Sequence, residues 1–156
     1  MTINQSIQEF LDYLLKNKRY SIETVRNYGI DLQQFDTFIK HHYSHFDNSA
    51  KIDVNCMRHF FSDMYERREA ISRRRTLSSL RSFFKYLIRY HQLENDPTLM
   101  IHSPKVRQTI PTFLSMDEIS ALINAPNKDT PLGLRDILIF ELLYGTGIRV
   151  SECVSI

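Results

Sequence analysis

Apolar residues recur at helical spacing in four successive stretches of the first ninety residues, and this periodicity restricts the fold more than any other feature. The four sets are Ile7, Phe10, Leu11, Leu14 and Leu15; Val25, Tyr28, Leu32, Phe35 and Ile39; Val54, Met57, Phe60, Phe61 and Met64; and Leu77, Leu80, Phe84, Leu87 and Ile88. With only four glycines and few alternating β-branched residues, strands are not expected. Hydrophobic residues make up 42% of the chain, enough for a packed core. We therefore expect an all-α protein that begins with a bundle of about four to five helices.

Capping residues predict where several helices begin. Ser21 precedes the second helix and Asp53 the third. Ser115 and Glu118 form a capping box for a short helix in the C-terminal part. Ser72 is expected to cap the fourth helix, which runs to about His91.

Three consecutive arginines, Arg73, Arg74 and Arg75, would then stand at the N-terminus of this fourth helix. The partial positive charge there disfavours each cation by about 0.3–1 kcal/mol. A bound anion would offset that cost, because free amides at a helix N-terminus already bind anions. Phosphate is the obvious candidate.

The same helix carries a basic stripe beside its apolar stripe. At 100° per residue, the basic stripe contains Arg74, Ser78, Arg81, Lys85 and Arg89. Residues 67–89 hold eight Lys or Arg and one acid, a net charge of +7, although the whole chain is only +2 and the remainder therefore −5. A focused basic face on a helix is what a protein that reads the major groove of duplex DNA presents. A solvated surface helix without a ligand is the alternative.

A segment with two prolines divides the chain. Residues 99–112 are expected to be extended, and residues 104–112 to be an interdomain linker between 1–103 and 113–156. Lys105 and Arg107 in this linker are further candidate DNA contacts. Residues 113–156 number 44, close to the roughly 40 residues below which a lone core rarely suffices. Their main helix begins after Thr130, is apolar nearly all round and ends near Gly147, so we expect the opening of a truncated domain.

Other site classes receive little support. Cys56 and Cys153 form no C-x-x-C pair, which suits a reducing cytoplasm. No signal peptide or membrane span is recognisable, so no membrane partner is expected. His41, His42 and His45 have no carboxylate or cysteine pattern to complete a metal site, and we expect neither a metal nor another cofactor.

Several segments together resemble a known family. Residues 72–87 read SRRRTLSSLRSFFKYL, residues 95–97 read NDP, and residues 141–152 read ELLYGTGIRVSE. These segments, with Ser21 to Phe35 upstream, are similar to those of the tyrosine recombinases, also called phage-type integrases, and most of all to their Xer-type bacterial members. The similarity covers essentially the whole chain in the family's order.

The resemblance implies a SAM-like, core-binding helical domain at 1–103 whose second and fourth helices lie in or along the major groove. It adds Thr24 and Asn27 on the second helix as DNA contacts; ordinary exposed polar residues are the alternative there. It also implies that residues 113–156 begin the catalytic domain, with Arg149 contacting the scissile phosphate. A guanidinium matches nonbridging phosphate oxygens bidentately and stabilises their charge in the transition state. Glu152, three residues on, would orient Arg149.

The family's nucleophilic tyrosine and its later catalytic residues would lie beyond Ile156, and none of the eight tyrosines present occupies that place. We therefore expect this chain to bind DNA without cleaving it, with duplex DNA and a second recombinase protomer on that DNA as partners. Chromosome-dimer resolution, integration and inversion are all compatible with these motifs. A non-enzymatic helix-turn-helix regulator and a helical protein-interaction module are the alternatives; the proline-containing linker and GTGIRVSE favour the recombinase.

Overall fold

The computed structural model describes residues 2–46, 49–106 and 112–156, and it divides the chain into two compact units, Met1–Arg107 and Gln108–Ile156. The described part contains seven α-helices and no strand, so the all-α prediction is confirmed. The helices are α1 (Ile3–Lys16), α2 (Ile22–His42), α3 (Val54–Arg67), α4 (Ala70–His91), α5 (Met116–Asn124), α6 (Pro131–Thr146) and α7 (Val150–Cys153). A short 3-10 turn, Ser49–Lys51, lies between α2 and α3.

Most predicted caps are confirmed. The Ser21 hydroxyl accepts a hydrogen bond from the Thr24 amide at 3.2 Å, and the Asp53 carboxylate accepts one from the Cys56 amide at 2.8 Å. Each of these bonds satisfies one of the amides that a helix start leaves without a backbone partner.

The predicted start of α4 is wrong. Glu69, in an extended conformation, is the N-cap, and the Arg73 amide donates to the Glu69 carbonyl at 3.0 Å. Only Arg68 and Glu69 connect α3 to α4, and this short turn sets the helix start in place of Ser72. The arginine triplet consequently lies in the second turn, where backbone amides have partners within the helix. The argument for an anion at the helix N-terminus therefore does not apply.

The core of the N-terminal unit contains apolar side chains from α1 to α4 and from the segment after α4. Its largest members are the rings of Phe10, Phe35, Phe83 and Phe84, all fully buried. Burial of each such ring contributes about 1.5–3 kcal/mol. Phe83 and Phe84 therefore pack in the core, as their spacing predicts, whereas Ile88 of the predicted apolar stripe is 37% exposed.

The sequence predicts an extended chain from Leu99 onward, but the structure has a turn at the start of this segment. The Asp96 carboxylate accepts a hydrogen bond from the Thr98 amide at 2.9 Å, and the Ile101 amide donates to the Thr98 carbonyl at 3.1 Å. This turn buries Ile101 against the core. Regular structure is absent from residues 101–106, and the linker residues 107–111, with Arg107, lie outside the described residues.

The C-terminal unit consists of α5, α6 and α7. Ser115 and Glu118 form the predicted capping box of α5, and Thr130 caps α6 with Pro131 in the first helical position. Gly147 ends α6 in the left-handed conformation with φ of 67°, which glycine adopts without steric cost. Gly133 is the only buried residue of α6, and Leu134 and Leu138 are more than half exposed.

No helix in the described part is both long enough and apolar enough to cross a membrane.

Candidate nucleic-acid interface

The outer face of α4 presents most of the predicted basic stripe. Arg74, Ser78, Lys85 and Arg89 are exposed, and Arg81 is half-buried. From position 74 to position 89 the stripe is about 22 Å long, at about 1.5 Å per residue. That length is sufficient to follow several successive phosphates of a duplex, since each strand places one about every 3.4 Å along the axis.

The three consecutive arginines point in different directions, because neighbouring residues on a helix are 100° apart. The Arg73 guanidinium lies over the Tyr65 ring of α3, with its Cζ 4.3 Å from the ring centroid. Arg75 forms an ion pair with Asp31 of α2. Arg74 alone of the three is exposed without an acidic partner among the described residues.

Asp31 is a buried carboxylate that links α2 to α4. Its oxygens accept hydrogen bonds from Arg75 Nη2 at 3.0 Å, Thr76 Oγ1 at 3.0 Å and Ser79 Oγ at 2.8 Å. A buried charge is tolerated only when it is paired and hydrogen-bonded, and all three partners come from α4. Asp31 is not among the functional residues predicted from the sequence. Its position directly before Leu32, on the apolar side of α2, is the sequence feature that could have indicated a buried carboxylate.

Arg81 joins the stripe to the turn after α4. Its Nη2 donates a hydrogen bond to the Ile101 carbonyl at 2.8 Å. A guanidinium carries five donor hydrogens, so this bond leaves others for a phosphate. Arg81 therefore has a structural contact in addition to its predicted DNA contact.

The start of α2 lies beside this stripe. The Tyr28 hydroxyl and the Ser82 hydroxyl are 3.4 Å apart, which brings α2 and α4 together one residue from Asn27 and Arg81. Asn27 is exposed, and Thr24 is half-buried with its hydroxyl 2.8 Å from that of Ser21. The two predicted DNA surfaces thus lie side by side on the N-terminal unit. Lys105, in the segment that follows, is exposed as well.

Arg149 and Glu152 are in contact in the C-terminal unit. Arg149 Nη1 lies 3.1 Å from Glu152 Oε1, and the Arg149 amide donates to Glu152 Oε2 at 2.7 Å. The Arg149 side chain is 83% exposed. Glu152 therefore holds the residue at both its backbone and its guanidinium, and leaves the guanidinium open to solvent.

The histidines at the end of α2 form an aromatic cluster with α3. His42 lies with its ring centroid 4.5 Å from Phe38 and 4.9 Å from His59, and the Tyr43 hydroxyl is 3.0 Å from His59 Nδ1. No group of three or more potential ligand side chains with metal-binding geometry occurs in residues 2–46, 49–106 and 112–156.

Comparison with known protein families gives the class of this helical, basic-faced protein. Residues 7–91 match the family model described as phage integrase, N-terminal SAM-like domain, and residues 112–156 match the model described as phage integrase family. The chain therefore belongs to the phage integrase family, and its N-terminal unit is SAM-like, as the sequence motifs predict.

The individual relatives that the chain resembles include recombinases of the Xer type. The chain is 36% identical to tyrosine recombinase XerC of Halalkalibacterium halodurans, with 98% of this chain and 50% of that protein covered. It is 37% identical to tyrosine recombinase XerC of Bacillus subtilis, with 99% and 50% covered. It is 38% identical to tyrosine recombinase XerD of Yersinia pestis, with 98% and 50% covered. The chain thus spans about half the length of the curated relatives that it matches.

Proposed function

We propose that this chain is the DNA-binding portion of a tyrosine-type site-specific recombinase, which cuts and rejoins duplex DNA through a tyrosine-phosphodiester intermediate. The observation that carries the proposal is the row of exposed cations Arg74, Lys85 and Arg89 on α4. The row lies beside the exposed start of α2, so two helices present polar side chains to one duplex. The printed names of the relatives, tyrosine recombinases XerC and XerD, support the same function.

DNA binding by this unit uses Arg74, Ser78, Lys85 and Arg89 directly. Arg73 and Arg75 reach the duplex only at the edges of the stripe, because the Tyr65 ring and the Asp31 carboxylate orient their guanidiniums. Thr24, Asn27, Arg81, Lys105 and Arg107 complete the proposed set of DNA contacts.

Arg149 is the proposed catalytic contact to the scissile phosphate, with Glu152 as its positioning residue. The exposed guanidinium supports this role, since a phosphate can reach it without displacing a buried partner. Guanidinium hydrogen bonds to nonbridging oxygens stabilise the charge of the transition state. The 156-residue chain itself is proposed to bind DNA but not to cleave it, because the eight tyrosines it contains do not occupy the family's nucleophile position.

A second protomer on the same DNA is the proposed protein partner. Both cysteines are unpaired thiols, which supports the further proposal that the protein works in the reducing cytoplasm.

The DNA-binding part is tested by fluorescence anisotropy with a labelled duplex at several salt concentrations. Replacement of two phosphate-contacting cations in Arg74→Gln/Lys85→Gln lowers the slope of log K against log salt by about 1.8, at about 0.9 per contact. Lys16→Gln/Lys128→Gln is the control with the same charge change; Lys16 is paired with Asp12, and Lys128 contacts Asn124 in the other unit. Equal slopes for the two double variants would remove the stripe from the interface, and absence of salt-dependent binding would favour a protein-interaction module.

A second experiment tests the catalytic role of Arg149 and distinguishes a recombinase from a non-enzymatic regulator. In a chimera that joins this chain to the second half of the Bacillus subtilis relative, we expect a covalent protein–DNA adduct on a nicked duplex. Arg149→Gln lowers the rate of adduct formation by about 100-fold or more, the usual cost of removing a charge-stabilising donor. Adduct formation that survives this replacement would exclude Arg149 from the chemistry.

A further inference from the structure

A small cleft lined by tyrosines lies between the turn that joins α1 to α2 and the C-terminal half of α4. Lys18, Tyr20 and Tyr28 line one side, and Lys85, Arg89 and Tyr90 line the other. The cleft has a volume of about 230 Å³, and no acidic side chain contributes to its lining. Among these residues only Lys85 and Arg89 belong to the basic stripe, so the cleft extends the cationic surface beyond α4.

Two of the three cations of the cleft, Lys18 and Arg89, lie over aromatic rings instead of being paired with carboxylates. Lys18 Nζ is 6.0 Å from the Tyr13 ring centroid, and Arg89 Cζ is 5.6 Å from the Tyr90 ring centroid. In the part of the chain that the structure describes, neither cation forms an ion pair with an acid. A cation over an aromatic ring keeps its full charge available to an incoming anion.

Glu9 is the acid whose charge affects the pKa of a tyrosine in this group, and its carboxylate already contacts His91. Glu9 raises the pKa of Tyr86, after the larger effect of burial, and its Oε2 lies 3.3 Å from His91 Nε2. The pKa of Tyr13 is lowered first by a hydrogen bond from the Tyr90 hydroxyl and, against an opposing effect of burial, by the charges of Lys18 and Arg89.

The backbone of the α1–α2 turn holds Lys18 and Tyr20 in place. The Lys18 amide donates to the Tyr13 carbonyl at 3.1 Å, and the Tyr20 amide donates to the Leu14 carbonyl at 3.1 Å. Arg19 between them adopts a left-handed conformation with φ of 53°. These two backbone hydrogen bonds satisfy carbonyls at the C-terminal end of α1, so the turn has a defined conformation beside the cleft.

The chemistry of the cleft fits a single phosphate group. Three cations line the cleft, and the Tyr20 hydroxyl adds a hydrogen-bond donor. The Tyr28 and Ser82 hydroxyls are bonded to each other, which leaves one of the two free to donate, and the whole set suits a tetrahedral anion. Small-molecule pockets occupy about 300–1,000 Å³, so this cleft is undersized for a whole nucleotide. Because Lys85 and Arg89 are shared with the stripe, the same duplex can reach both.

We propose that the cleft seats one backbone phosphate of the bound duplex, and that Lys18 of the α1–α2 turn contacts this phosphate from outside α4. This inference rests on the proposed DNA-binding function. It assigns a DNA contact to the turn between the first two helices, which contains none of the DNA contacts predicted from the sequence.

The test compares two lysines that are two residues apart. In salt-dependent anisotropy with a labelled duplex, Lys18→Gln lowers the slope of log K against log salt by about 0.9, the value for one phosphate contact. Lys16→Gln, which removes the same charge from a lysine paired with Asp12 at 2.6 Å, leaves the slope within error of the unsubstituted chain. Tyr20→Phe keeps the ring, removes the hydroxyl and weakens binding about tenfold or more without a change of slope, as expected for one hydrogen bond to a charged acceptor.

The outcomes distinguish the inference from the function on which it rests. Absence of salt-dependent binding by the unsubstituted chain would contradict both. A reduced slope for Arg74→Gln together with equal slopes for Lys18→Gln and Lys16→Gln would overturn the cleft alone. If the cleft binds free anions instead, Lys18→Gln abolishes binding of inorganic phosphate and leaves the duplex slope unchanged. That result also overturns the proposal. Urea unfolding followed by tyrosine fluorescence verifies that each variant is folded.

Discussion

Asp31 of α2 and Arg75 of α4 form an ion pair in which Asp31 is 1% exposed and Arg75 is 52% exposed. The pair joins two helices across 44 residues of sequence, and the Thr76 and Ser79 hydroxyls complete the coordination of the carboxylate. Since both proposed DNA contact surfaces belong to these two helices, the ion pair links the two surfaces directly.

Replacement of Asp31 by alanine leaves two buried hydroxyls and one guanidinium without their acceptor. We expect Asp31→Ala to lower the free energy of unfolding by about 2–4 kcal/mol. Asp12→Ala, which breaks the exposed pair with Lys16, is the control, and we expect a loss of at most about 1 kcal/mol. Urea titration measures both, with tyrosine fluorescence as the signal, because seven of the eight tyrosines lie in residues 1–103. Equal losses would contradict the structural role of Asp31.

The two cysteines differ in reactivity. Burial, and to a smaller extent the charge of Asp53, raises the pKa of the Cys56 thiol to about 12. Since the thiolate is the reactive form, we expect a disulfide reagent at about pH 8 to modify Cys153 directly and Cys56 only after unfolding. Cys153→Ser and Cys56→Ser assign the two phases. Rapid modification of the Cys153→Ser variant under native conditions would contradict the burial of Cys56.

We expect His42 to make the stability of the N-terminal unit depend on pH. Desolvation of its ring lowers the pKa of His42, and the neighbouring His41 and His59 lower it further, against a smaller opposite effect of Asp63. The unfolded chain then binds a proton more readily than the folded one, so stability is present at neutral pH and declines as pH falls below about 6.5.

The matching experiment measures urea midpoints between about pH 7.5 and pH 5.5. We expect His42→Gln to lose less stability over this range than the unsubstituted chain. His102→Gln, an exposed histidine of the segment after α4, serves as the control. A decline with the same slope in the His42 variant would show that another group is responsible.

Gln92 ends α4 in a left-handed conformation with φ of 53°, which a side chain disfavours. Gln92→Gly removes that penalty at the cost of more freedom in the unfolded chain, and we expect a net gain of about 0.5–1 kcal/mol in the free energy of unfolding. Gln92→Ala keeps the penalty and provides the comparison. A loss of stability in the glycine variant would indicate that the Gln92 side chain makes a stabilising contact.

Local signals allowed the sequence to predict much of this fold. Ser21, Asp53 and Ser115 were predicted as caps because a cap depends on residues within one turn of itself. The same local rule gave a wrong prediction for Ser72. The start of α4 is set by the two-residue connection from α3, and not by the position of the best capping residue. Apolar periodicity likewise predicted which face of α4 is buried.

The candidate site was predictable only in part. The exposure of Arg74, Lys85 and Arg89 follows from helical period alone. The contact between Asp31 and Arg75 depends on how two distant helices pack, and no pattern within either helix encodes it. The bond from Arg81 to the Ile101 carbonyl depends on a turn in a segment for which the sequence predicts an extended chain.

Successive arginines that diverge around a helix also change how such a sequence should be dissected by mutagenesis. Neutralising all three together would remove one exposed charge, one contact with an aromatic ring and one ion pair between two helices. Lost affinity in such a variant would be indistinguishable from a loosened scaffold. A single replacement of the exposed Arg74 can separate a loss of DNA binding from a loss of stability.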